Sequence, residues 1–116
     1  MVAYPELSDA ELDRLFRALA DATRRDIVAR VLAGRPASIS ELAARYDMSF
    51  AAVQKHVAVL EGAGLVKKEA RGRERMIRGN PERIARARDL LSRLEGLWRA
   101  RFSQIDTLFT ETEPAE

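Results

Sequence analysis

A chain of 116 residues, 47% hydrophobic and 33% charged, has the balance of one folded domain with a modest core, and its net charge of +2 names no partner by itself. The absence of cysteine excludes a disulfide framework, a thiolate nucleophile and a thiolate metal site. No apolar run nears the ~20 residues that span a bilayer, and the N-terminus carries no basic-then-apolar leader pattern, so a cytoplasmic protein is expected.

Ser8-Asp-Ala-Glu11 is a capping-box pattern, and Leu12, Leu15, Phe16 and Leu19 follow it as one apolar helical stripe, predicting a first helix over 8–20. Asp21 suits the N-cap of a second helix that buries Ile27, Val28, Val31 and Leu32 and stops at Gly34 and Pro36. Ser38-Ile-Ser-Glu41 is a second capping box, opening a short helix with Leu42, Ala43 and Tyr46 inward and a turn at Asp47-Met48. Ser49 then caps a fourth helix whose inward positions are Phe50, Val53, Val57 and Leu60, so that 38–62 reads as a helix-turn-helix. Gly62 and Gly64 permit a sharp exit from it.

Residues 65–79 alternate poorly, but their place after that exit, with a tip at Arg71-Gly72, reads as a β-hairpin wing. The stretch holds six basic residues (Lys67, Lys68, Arg71, Arg73, Arg75, Arg78) against Glu69 and Glu74, a local +4 that leaves the rest of the chain at −2. Clustered charge of this kind is what a phosphate-contacting element carries, although a solvated hairpin can carry it too.

Asn80 as N-cap, Pro81 at the first helical position and Glu82 in the first turn begin a last helix over 81–111. Ala87, Leu91, Leu94, Trp98, Phe102, Ile105 and Leu108 keep helical spacing along it, widened by Leu90, Leu97 and Phe109, and Thr112 to Glu116 read as an acidic tail. About 30 residues at ~1.5 Å each make roughly 45 Å of helix, longer than the ~30 Å of a small domain. The apolar outer half then either folds back or packs on a second copy. Burial across a two-fold axis, with Leu12, Phe16, Leu94, Trp98, Phe102 and Ile105 as the contact residues, is the economical solution. The whole chain, 1–116, reads as a single domain, mainly α with a small hairpin: about five helices plus a two-stranded wing.

With Val53, Val57 and Leu60 inward, 100° per residue sets Ala51, Lys55, Ala58 and Gly62 on the opposite face of the fourth helix. Ala52, His56 and Val59 line one flank and Gln54 the other. Small residues at 51 and 52 allow close approach to a major-groove floor, and their methyls can meet thymine methyls. Gln54 can pair with adenine, Lys55 can donate to guanine or phosphate, and Ser49 stands at the positive helix end. Tyr46 and Ser40 are weaker phosphate candidates. His56, the one histidine, is either a hydrogen-bonded helix residue or a DNA contact. A single imidazole without cysteine makes no transition-metal site, and no nucleophile, oxyanion loop or carboxylate pair accompanies it, so neither an enzyme nor a cofactor is implied.

The segments FRALADATRRDIVARVL, SISELAARYDMSFAAVQKHVAVLEGAGLV and the RGRERM wing resemble the arsenical-resistance repressor (ArsR) family of winged helix-turn-helix regulators over residues 12–79. The resemblance implies a homodimer, built from the first and last helices, that represses transcription at a near-palindromic operator. It also implies DNA contacts at Ser49, Ala51, Ala52, Gln54, Lys55 and His56, with Arg71, Arg73 and Arg75 in the wing. Two departures stand out. Gln54 replaces the usual serine before the Lys-His pair. The metal-sensing members' Cys-x-Cys site corresponds to Glu41–Arg45 here, which has no cysteine, and residues 81–111 lack the histidines of the alternative site. The chain is thus similar to a non-metal-sensing branch, and what releases it from DNA, a small-molecule effector or another signal, is not given by the sequence. The competing reading is a protein-interaction or structural module that kept the fold without reading DNA, since Ala51 and Ala52 leave few polar groups for base contacts.

Overall fold

The computed structural model describes the backbone of residues 6–112 and the side chains of residues 6–105. Each expected helix is present: α1 (Asp9–Leu19), α2 (Ala22–Ala33), α3 (Ile39–Ala43), α4 (Phe50–Gly62) and α5 (Pro81–Thr112). Their starts are set by side-chain caps. Ser8 and Ser38 each accept from the backbone N–H three residues on, while Glu11 and Glu41 reach back to the cap N–H, completing two capping boxes. Asp21 and Ser49 cap α2 and α4 in the same manner, each satisfying one of the donors that a helix start leaves open.

The sheet has three strands where two were expected. β1 (Ala37–Ser38), β2 (Val66–Arg71) and β3 (Glu74–Gly79) lie in the order β1-β3-β2, all antiparallel. β3 is therefore central, with Ala37 opposite Ile77 on one side and Val66 opposite Gly79 on the other. Met76 and Ile77, neighbours pointing to opposite faces, are both buried, which is why the strand does not alternate. The hairpin loop is Gly72-Arg73, one residue beyond the expected tip. Gly72 has φ +65 while Arg73, like every described residue other than glycine, does not have positive φ, the sign pattern of a II′ turn with glycine first.

The described residues fall into two compact units that divide after Arg86. The core of the first is built on Leu15, Ile27, Leu42, Val53, Val57, Leu60, Leu65 and Ile77, every one of them nearly inaccessible to solvent. Removing a fully enclosed leucine such as Leu60 costs about 2–5 kcal/mol. Two side chains expected inside are not. Phe50 is 48% exposed because the first residue of α4 projects past the core, and Leu32 is 39% exposed on the last turn of α2. Leu32 still packs on Gly79, where a Cβ would fall 2.6 Å from its Cδ2.

The exit from α4 is a Schellman motif. Leu65 N–H donates to Leu60 O at 3.0 Å and Gly64 N–H to Glu61 O at 2.9 Å, with Gly64 at φ +77. Gly62 lies in the helix itself and takes no part in the reversal. Asn80 does not cap α5 as expected: its Nδ2 donates to Gly64 O at 2.7 Å and ties the end of the wing to this turn.

In the second unit, Leu91, Leu94, Trp98, Phe102 and Ile105 are exposed on one face of α5, with Leu97 beside them. Thr112, expected in the tail, still belongs to the helix; the side chains of Leu108 and Phe109 and residues 113–116 lie outside the described residues. Among the described residues no helix is long and apolar enough to cross a membrane.

Candidate nucleic-acid interface

α4 turns Val53, Val57 and Leu60 into the core, which fixes what its outer face offers. Ala51, Gln54, Lys55 and Ala58 are exposed, Ala52 is half-buried, and Ser49 is exposed with its Oγ accepting from Ala52 N–H at 3.1 Å. The helix face is thus small at its start and polar in its middle, as the spacing indicated. Phe50 adds an exposed ring at the entry turn. Sequence reasoning placed it inward because it lies three residues before Val53; the signal against this was its position as the first helical residue, where no preceding turn covers it.

His56 is turned toward α2. Its Nδ1 lies 3.4 Å from Arg24 Nη1 and 3.9 Å from Asp21 Oδ2, and the residue is half-buried. Arg24 in turn donates from Nε to Ala18 O at 2.6 Å and from Nη2 to Arg17 O at 3.2 Å, and Arg25 donates to Leu19 O at 2.7 Å. The two arginines of the Thr-Arg-Arg segment therefore satisfy the open carbonyls at the end of α1. Asp21 caps α2 and faces His56, and its carboxyl is held below the usual range, first by the Arg24 backbone N–H it accepts and then by the nearby positive charge. One cluster thus joins the end of α1, the start of α2 and the middle of α4.

Tyr46 is committed elsewhere than to a phosphate. Its hydroxyl donates to Asp26 Oδ2 at 2.6 Å, and Arg30 donates to the same oxygen at 2.7 Å. The hydrogen bonds from Tyr46 and then Arg30 hold the Asp26 carboxyl below its usual range, and burial together with this carboxylate raises the Tyr46 phenol.

In the wing, two of the six basic side chains are neutralised: Lys68 lies 3.5 Å from Glu61 and Arg78 lies 3.2 Å from Glu69. Lys67, Arg71, Arg73 and Arg75 are exposed, and their side chains make no hydrogen bond or ion pair with any described residue. The unpaired charge therefore concentrates toward the hairpin tip, where all three expected wing arginines stand.

A helix-turn-helix with a basic hairpin behind it is a DNA-reading frame. The comparisons agree. A family model described as a helix-turn-helix domain matches residues 19–69. The HTH-type transcriptional regulator Rv2034 of Mycobacterium tuberculosis is 41% identical over 81 residues, 70% of this chain and 75% of that protein. An ArsR-like transcriptional regulator from Rhodococcus sp. superimposes with a TM-score of 0.75 at 32% identity, over 85% of this chain and 92% of the other. The chain belongs to the ArsR family of helix-turn-helix transcriptional regulators. It is a DNA-binding protein and not an enzyme. The fold is shared further: a homodimeric winged helix-turn-helix DNA-binding domain from Mycobacterium bovis matches with a TM-score of 0.61 at 21% identity, over 80% of this chain and 91% of that one.

Proposed function

We propose that this ArsR-family regulator is a homodimeric repressor that reads a near-palindromic operator without a metal-sensing site. The observation that carries the reading is the pairing of an exposed α4 face with partner-free arginines at the wing tip. In the proposal α4 enters the major groove. Ala51 and Ala52 face its floor, Gln54 and Lys55 reach base edges, and Ser49 meets a phosphate at the helix start. Phe50 joins them as an apolar contact for a thymine methyl. Arg71, Arg73 and Arg75 lie along the adjoining backbone and position the helix without reading sequence.

His56 then acts mainly as a strut. Its Nδ1 side is occupied by Arg24 and Asp21, so it holds α4 at a set angle to α2 and leaves Nε2 as the nitrogen for any DNA contact.

Self-association follows from the second unit. A single face bearing Leu91, Leu94, Trp98, Phe102 and Ile105 is a large apolar patch, of the kind that marks an interaction surface. A second copy covers it by symmetry, with Leu12 and Phe16 of α1 as further contacts, and two α4 helices then face half-sites about one helical turn apart. The absence of cysteine and of any histidine but His56 supports the non-metal-sensing assignment. The test is selection of bound sequences from random duplexes. An enriched inverted repeat supports the reading; no enriched motif, with tight capture of a protein partner, favours the interaction-module alternative.

A further inference from the structure

Four arginines from separate places in the first unit line one cavity of about 890 Å³. Arg30 stands near the end of α2, Arg35 just beyond it, Arg45 just past α3, and Arg71 at the end of β2. Between them the cavity is lined by apolar groups, among them Ala37, Leu42 and Met76. Only Arg30 is neutralised, by Asp26 at 2.7 Å. The one carboxylate in the lining, Glu41, gives its Oε1 to the Ser38 N–H in the α3 capping box. The side chains of Arg35, Arg45 and Arg71 make no hydrogen bond or ion pair with any described residue, although Arg45 acts through space on the Asp26 carboxylate that Arg30 already holds.

Three guanidinium groups around one concavity, none held by a carboxylate in direct contact, repel each other and focus a positive potential into it. A guanidinium fork matches the oxygens of a carboxylate or a phosphate, and is weakly enough hydrated to give up water for them. A monocarboxylate would leave most of this charge uncompensated, whereas a phosphate monoester brings nearly two negative charges to the same place and a diphosphate more. The volume falls in the range of small-molecule sites, and the apolar lining suits an organic group rather than a bare ion.

We infer that this cavity binds a small phosphate-bearing organic molecule, with its phosphate on Arg35, Arg45 and Arg71 and its organic part against Ala37, Leu42 and Met76. The occupant bridges the end of α2, the residues that enter the helix-turn-helix turn, and wing strand β2. It takes up Arg71, which in the proposed DNA complex faces the backbone, so binding weakens the grip on DNA. This regulatory consequence rests on the DNA-reading proposal; occupancy of the cavity does not.

Calorimetric titration of the full chain with pyrophosphate, inorganic phosphate and phenyl phosphate at about 0.15 M salt tests the site. Saturable binding at one molecule per chain is expected, with phenyl phosphate tighter than inorganic phosphate. The double variant Arg35→Ala/Arg45→Ala should lose at least tenfold in affinity, while Arg73→Ala/Arg75→Ala binds as the parent does. No saturation at millimolar ligand, equal loss in both double variants, or no preference for the phenyl ester would overturn the site. Fluorescence anisotropy on a labelled operator duplex, with and without pyrophosphate, tests the consequence. If pyrophosphate binds but DNA affinity is unchanged, the regulatory step is wrong. If the chain binds pyrophosphate yet no duplex, the DNA reading fails and the site stands. If Arg35→Ala/Arg45→Ala lowers DNA affinity while the parent takes no small anion, those arginines are backbone contacts and the inference falls.

Discussion

Replacing Trp98 by alanine should dissolve the dimer while leaving each chain folded. Trp98 is 66% exposed in the single chain. A tryptophan buries on the order of 200 Å² when covered, so about 130 Å² of this ring is available to a partner. At ~25 cal/mol per Å² its burial contributes about 3 kcal/mol, and a two-fold interface loses the ring twice. Alanine still buries part of that area and the partner can close toward the gap, so at least about a hundredfold weakening in Kd is expected, at ~1.4 kcal/mol per tenfold. Alanine keeps the helix, since it is the best helix former. Sedimentation velocity over a concentration series reads the equilibrium, with far-ultraviolet circular dichroism as the check on helix content. A parent chain that stays monomeric at every concentration, or a variant with unchanged Kd and unchanged helix content, would refute the assignment of this face to a second copy.

Other outcomes follow from single residues. Gly64→Ala forces a Cβ into the left-handed region and against the Arg83 guanidinium, which pairs with Glu11; a loss of about 1–3 kcal/mol in denaturant unfolding is expected, and an unchanged midpoint would contradict the turn. Arg73→Ala/Arg75→Ala should weaken every duplex alike and flatten the log–log salt slope by about 0.9 per lost phosphate contact, whereas Gln54→Ala should shift the selected motif by about 1–3 kcal/mol at one base pair. Acid should destabilise the fold. The carboxyls of Asp21, Asp26 and Glu11 are all held low: by the Arg24 N–H, by the Tyr46 hydroxyl and Arg30, and by the Ser8 N–H and Arg83 respectively. A lowered folded-state pKa means the unfolded chain binds more protons, so this stability is full above the ordinary carboxylate range, about 4, and is lost as pH falls from there through the lowered folded-state values. Urea melts between pH about 6 and about 3 should show the loss, and Asp26→Asn should flatten it.

Most of the frame could be read from local chemistry, because caps are local. Ser8, Asp21, Ser38 and Ser49 each announce a helix start within four residues of sequence, and the structure puts a side-chain cap at all four. What escaped depends on distant partners. β1 is two residues long and exists only because β3 lies beside it, so no periodicity reveals it. Met76 and Ile77 break alternation because both faces of β3 are covered, by elements that local sequence does not bring to it. Asn80 looks like a cap but is drawn to Gly64, which folding brings to it across 16 residues. The same holds at the candidate interface: the outward face of α4 follows from its apolar spacing, but the Arg24–His56 contact and the Tyr46–Asp26 bond join elements that sequence alone does not juxtapose. Wing arginines were legible as a cluster; which of them stay unpaired was not, since Glu61 on α4 takes Lys68 and Glu69 takes Arg78 across the hairpin.

The central claim is that two copies of this chain read one two-fold DNA site through α4 and the wing. Footprinting on the DNA upstream of its own gene tests it most directly. A protected inverted repeat with half-sites about one helical turn apart, lost for both Trp98→Ala and Arg73→Ala/Arg75→Ala, is the predicted result. Protection of a single half-site, or no protection by a folded dimer, would contradict it.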